Sequence, residues 1–148
     1  MKFEKLWFII SICLFVMLLG VITRFNYSKH YDISVGEEAV TLLYVFNSPD
    51  DIDNNMKKLS KITTKDVFDV LTVNQSDRVM QVWLKFKGDP CNIEIVQAKN
   101  DYIIYHLLNK NIDSTRLFIL SYEVNFFGKI NNVSEGEVVT FPSSNMMW

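Results

Sequence analysis

Residues Leu6–Thr23, LWFIISICLFVMLLGVIT, constrain this chain more than any other stretch: they carry no charge and are closed by Arg24. As an α-helix the run would measure about 27 Å, close to the hydrocarbon thickness of a bilayer. A helix lying on a soluble core keeps a polar stripe, and this one offers only Ser11 and Thr23. A cleaved leader would have a shorter apolar core, about 7–15 residues, ending in small residues at the cleavage site. Here Leu18 and Val21 occupy the −3 position of the available exits, and Cys13 lies inside the run behind Ile12, which does not suit a lipoprotein signal. The expectation is an uncleaved signal anchor over 6–23.

The anchor divides the chain into a cytoplasmic tail (1–5), the span (6–23), a juxtamembrane linker (24–33), an extracytoplasmic domain (34–142) and a C-terminal tail (143–148). Lys2 and Lys5 precede the span while Arg24 and Lys29 follow it, so basic residues bias the orientation little. The short N-terminal tail sets the expected topology, with the N-terminus cytoplasmic and a single pass through the cell membrane. Phe25, Tyr27 and Tyr31 of the linker suit the headgroup region.

Beyond the anchor, roughly 125 residues suffice for one domain and one core. From Arg24 onward there are 13 basic and 16 acidic residues, and no basic run exceeds Lys57-Lys58. Nothing therefore favours nucleic acid as a partner. Cys13 in the span cannot pair with Cys91 in the domain, and Cys91 reads as a small buried residue opening a strand. Two alanines beside abundant Ile, Asn and Lys match the bias of an AT-rich bacterial genome.

A first helix is expected from Ser34, where Ser34-Val35-Gly36-Glu37 has the form of a capping box, and Val35, Ala39, Leu42, Leu43 and Phe46 recur at helical spacing. Ser48-Pro49-Asp50-Asp51 starts a second helix, with Ile52, Met56, Leu59 and Ile62 buried and Lys57, Lys58 and Lys61 outward. Thr63 or Thr64 caps a short third helix buried through Val67, Phe68, Val70 and Leu71. Arg78–Lys87 alternates with period two, placing Met80, Val82, Leu84 and Phe86 on one face, and predicts a first strand. Strands follow over Cys91–Ala98, Tyr102–Leu108 and Arg116–Phe127; a last one from Ile130 kinks near Gly136 and continues through Val138–Phe141. Short turns between them imply an antiparallel meander. The predicted class is α+β: a transmembrane helix, three further helices, then a curved antiparallel sheet of four to six strands.

This order, together with Tyr122-Glu123-Val124-Asn125-Phe126-Phe127-Gly128-Lys129-Ile130, resembles the cone-shaped nuclear-transport-factor-two-like superfamily, whose last hairpin has a Gly-Lys-Ile turn after a long strand. With one N-terminal span added, the layout is similar to the inner-membrane scaffold subunit of type IV secretion and conjugation systems. The resemblance implies a non-enzymatic assembly or adaptor protein whose partners are the membrane, other subunits of a membrane complex and further copies of itself. Enzymes resembling the superfamily use an Asp, His or Tyr inside the cone. His106 and Tyr122 are therefore the pocket candidates for the alternative, an extracytoplasmic ligand-binding protein or weak enzyme. Trp83, beside Lys85 and Lys87 on the polar side of the first expected strand, is the candidate partner-surface residue.

No phosphate loop, Cys-x-x-Cys pair, His-Glu-x-x-His or Gly-x-Ser-x-Gly motif is present. Asp51-Ile52-Asp53-Asn54-Asn55 opens like a calcium loop, but Met56 stands where glycine is needed and Ile62 where the bidentate glutamate belongs. No catalytic residue, metal or cofactor is expected.

Overall fold

The computed structural model describes residues 2–73 and 75–138, with the side chains of 2–6, 23–30 and 75 outside the description. Four helices precede four strands: α1 (Lys2–Tyr44), α2 (Pro49–Ile62), α3 (Lys65–Thr72), α4 (Gln75–Lys85), β1 (Asn92–Ala98), β2 (Tyr102–Leu108), β3 (Leu117–Val124) and β4 (Ile130–Val138). The chain forms two compact units, Met1–Tyr31 and Asp32–Trp148. The class is α+β, and the sheet is an antiparallel meander in the order β1-β2-β3-β4.

The first unit is helical from Lys2, and its large apolar side chains from Trp7 to Ile22 are 41–70% exposed. Among the described residues no helix is long and apolar enough to cross a membrane. The run described side chain by side chain, 7–22, stops short of the expected span at both ends. The C-terminal tail expected at 143–148 lies outside the described residues, as do 139–141 of the last strand.

In the second unit, α1 does not begin at Ser34: the backbone is helical through 24–33 and Ser34 lies inside the helix. Arg24–Ile33 contains neither glycine nor proline, so nothing in it stops a helix even without an apolar period. The expected apolar face holds, because Val35, Ala39, Leu42, Leu43 and Phe46 are all buried. Ser48 caps α2 with the full reciprocal box: its hydroxyl accepts from the Asp51 amide at 3.3 Å, and Asp51 Oδ2 accepts from the Ser48 amide at 3.1 Å. Ile52, Met56 and Leu59 point inward, and Lys57, Lys58 and Lys61 are exposed. Thr64 is the N-cap residue of α3, where Val67 and Leu71 are buried but Val70 is exposed.

The expected first strand, Arg78–Lys87, is α4. Val79, Val82, Trp83 and Phe86 fit helical spacing as well as their neighbours fit alternation, and the core selects the helix. Val82 and Phe86 are buried and Val79 and Trp83 pack against the core, while Met80 and Leu84 are 58% and 65% exposed. The helix ends through Lys87 and Gly88, both at positive φ, and the Gly88 amide donates to the Trp83 carbonyl at 2.9 Å.

The meander keeps the expected turns. Cys91 bridges to Phe46 just before β1 and is buried. β3 is shorter than expected, since Phe126 lies in the following turn rather than on a strand face. β4 runs through Gly136, which pairs with Ile119, on to Val138, and the one register shift between these strands is at Glu123/Val124. Ile103, Tyr105 and Leu107 of β2 share the inner sheet face with Leu120 and Tyr122 of β3. They form one core with Val35, Ala39, Val40 and Leu43 of α1, Ile52, Met56 and Leu59 of α2, Val82 of α4 and Phe86 just after it.

Candidate functional site

His106 and Tyr122 do not meet. On β2 burial alternates, with Ile103, Tyr105 and Leu107 inward, so His106 stands on the outer face, half-buried. The register that pairs Ile103 with Leu120 puts Tyr122 inward. His106 Nδ1 lies 2.9 Å from the Arg116 carbonyl, which only accepts, so the ring proton sits on Nδ1. The Tyr122 hydroxyl lies 2.7 Å from the Lys99 carbonyl and 3.0 Å from that of Asp32, tying the β1–β2 turn to α1. Burial, followed by the nearby Asp32 carboxylate, raises the Tyr122 pKa, so the phenol is a neutral donor at ordinary pH.

Trp83 sits on α4, not on the polar face of a strand. Its ring is half-buried, 6.1 Å from Phe46 between centroids, and lies over Gly88.

A polar cluster that sequence reasoning missed lies on the inner face. The Tyr44 hydroxyl donates to Glu135 Oε1 at 2.8 Å, and Tyr105 packs beside Tyr44. Their rings are 5.6 Å apart. Each residue is placed by its own element: Tyr44 by the last turn of α1, Tyr105 by the inward phase of β2, and Glu135 by its pairing with buried Leu120. Burial is the main cause raising both tyrosine pKa values, with Glu135 adding at Tyr44 and Tyr44 adding at Tyr105. The positive charge of Arg78 on α4 acts against both shifts, and its Nε is buried with no hydrogen-bond partner among the described residues. Phenols held neutral can donate hydrogen bonds but cannot serve as bases or nucleophiles near neutral pH. The cluster therefore orders α1 against the sheet. The alternation of Tyr102–Leu108 marks Tyr105 as inward, between two apolar neighbours on one face, but points to neither Tyr44 nor Glu135.

A shallow groove of about 260 Å³ lies at one end of the sheet, lined by Asp101, Tyr102, Ser121, Glu123, Asn132 and Ser134 among others. Its lining has two carboxylates, two serines and two tyrosines, one of them Tyr122, but no histidine or cysteine. No group of three His, Cys, Asp or Glu side chains among the described residues could hold a metal ion. No known protein family, curated protein or solved structure matches this chain.

Proposed function

We propose that this chain is a non-enzymatic, membrane-anchored assembly or adaptor protein whose extracytoplasmic domain binds other protein subunits. The observation that carries the reading is the exposed apolar surface of Trp7–Ile22, in which Ser11 is the one polar side chain. Large side chains this exposed all around one helix need an apolar surrounding, and continuation of the run to Leu6 and Thr23 gives it the length of a bilayer core. The domain adds a packed core, tyrosines held as neutral donors, and two pocket candidates on opposite sheet faces. That arrangement suits a scaffold better than a catalyst. The likeness in layout to the inner-membrane scaffold of type IV secretion and conjugation systems, and to the nuclear-transport-factor-two-like fold, is part of this proposal.

A second reading, ligand binding, rests on the groove between Asp101 and Ser134. The test is purification from detergent-solubilised membranes. The scaffold reading expects protein that resists carbonate extraction, a domain digested by protease added outside intact protoplasts, and stable co-purifying membrane subunits. Carbonate-soluble protein, or a domain protected until lysis, would overturn it. A bound small molecule without protein partners would favour the groove.

A further inference from the structure

The β3–β4 turn exposes two adjacent phenylalanines, Phe126 at 79% and Phe127 at 84%, the most exposed aromatic rings among the described residues of the second unit. Their rings meet edge to face at 84°, 5.8 Å apart. The turn that carries them is tightly ordered. Asn125 Oδ1 accepts from the Phe127 amide at 2.9 Å and the Lys129 amide at 3.1 Å, the Asn125 amide donates to the Lys129 carbonyl at 2.9 Å, and Gly128 takes φ +75. An apolar pair so presented is preorganised to enter another phase rather than collapsed on the domain.

The place of this turn in the domain says which phase. Antiparallel pairing brings the β3–β4 turn and the β1–β2 turn to the same end of the sheet, because Tyr102 opposes Ser121. Tyr122 then binds the carbonyls of Lys99 and Asp32 at that end. Asp32 is the residue at which the chain arrives in the domain from its apolar run. Phenylalanine is among the apolar side chains that interfacial segments bury at the headgroup–acyl boundary, with lysines such as Lys129 keeping their charge among the headgroups. The charges around them are mixed, Lys99 and Lys129 against Asp101 and Glu123, so attraction to anionic lipid is not what the surface is built for.

We propose that Phe126 and Phe127 insert into the headgroup–acyl boundary of the bilayer, giving the domain a second, non-spanning membrane contact. This rests on the membrane-anchored reading above.

The test uses the full chain reconstituted in phosphatidylcholine vesicles, with Phe127→Trp as probe and the emission of the parent's own tryptophans subtracted. The probe should be blue-shifted and lose most of its emission when the acyl chains are brominated. High salt should leave this unchanged, because aromatic insertion is not screened. Ser114→Trp, in the exposed loop at the opposite end of the sheet, should stay unquenched. Protein that carbonate releases from the vesicles would overturn the anchor and this inference together. Protein that stays, with a probe that is unquenched whether red- or blue-shifted, would overturn this inference alone. Equal quenching at 114 and 127 would also overturn it.

Discussion

Gly36 of α1 and the Tyr122 ring of β3 occupy one shared space: a methyl group at position 36 would overlap the ring carbons and hydroxyl. The ring lies on the helix backbone where a side chain would otherwise stand, and from there its hydroxyl reaches the Lys99 carbonyl. Glycine inside a helix normally costs about 0.5–1 kcal/mol relative to alanine, so only close approach explains it here.

Gly36→Ala is accordingly expected to destabilise the domain. Overpacking costs about 1–3 kcal/mol, and the helix propensity regained offsets at most about 1 kcal/mol of it. Tyr122→Phe removes only the hydroxyl and should cost about 1 kcal/mol. Urea unfolding of the detergent-solubilised protein measures both. A higher midpoint for Gly36→Ala would show that α1 and β3 do not approach as closely as described.

The two faces of α4 make a sharper comparison. Phe86→Ala should cost about 3–5 kcal/mol and Val82→Asp more than most single substitutions, since both positions are buried. Met80→Gln and Leu84→Gln should stay within about 0.5 kcal/mol because both side chains are exposed. A strand would make all four equally sensitive, so equal losses would reject the helix.

That comparison also shows where the sequence was readable. The cap at Ser48, the inward side of α2 and the limits of β2 were legible because each rests on local chemistry: a capping serine with proline, a helical apolar period, and turns at Lys99–Asp101 and Asn109. Arg78–Lys87 was ambiguous because its apolar residues satisfy both periods, and the choice between them is made by Phe46 and the rest of the core. The start of α1 was misplaced because a polar helical stretch has no apolar period to mark it. The cluster of Tyr44, Tyr105 and Glu135 could not be assembled from sequence, since its hydrogen bond from Tyr44 to Glu135 spans 91 positions and depends on strand register.

Trp83 tests whether an aromatic side chain serves the core or a partner. Its ring packs beside Phe46 and over Gly88, so Trp83→Ala should destabilise the domain by about 2 kcal/mol, below the range for a fully buried ring. Trp83→Phe should recover most of that loss. If Trp83→Ala folds with unchanged stability yet fails to capture the subunits that co-purify with the parent, the residue is an interface anchor, as first expected from its neighbours in sequence.

Alkaline pH should unfold this domain earlier than its charge alone implies. Burial is the leading cause that raises the pKa of Tyr44, Tyr105 and Tyr122 above the ordinary value of 10.0, so in the folded state each keeps its proton where the unfolded chain loses it. The folded state therefore binds more protons above pH 10, and the derivative of unfolding free energy with pH is negative there. The stabilisation is fully present below the unfolded pKa and is lost as pH rises toward the folded values. Each tyrosine can contribute a slope of at most about 1.4 kcal/mol per pH unit. Unfolding free energy measured from pH 8 to 11, with tyrosinate absorbance followed in parallel, should fall most steeply above pH 10. Tyr105→Phe should flatten the fall above pH 10, because it removes a buried phenol whose pKa burial raises. Deprotonating lysines act on parent and variant alike, so the difference between the two curves isolates the phenol. Parallel curves would mean that Tyr105 ionises as readily in the folded chain as in the unfolded one.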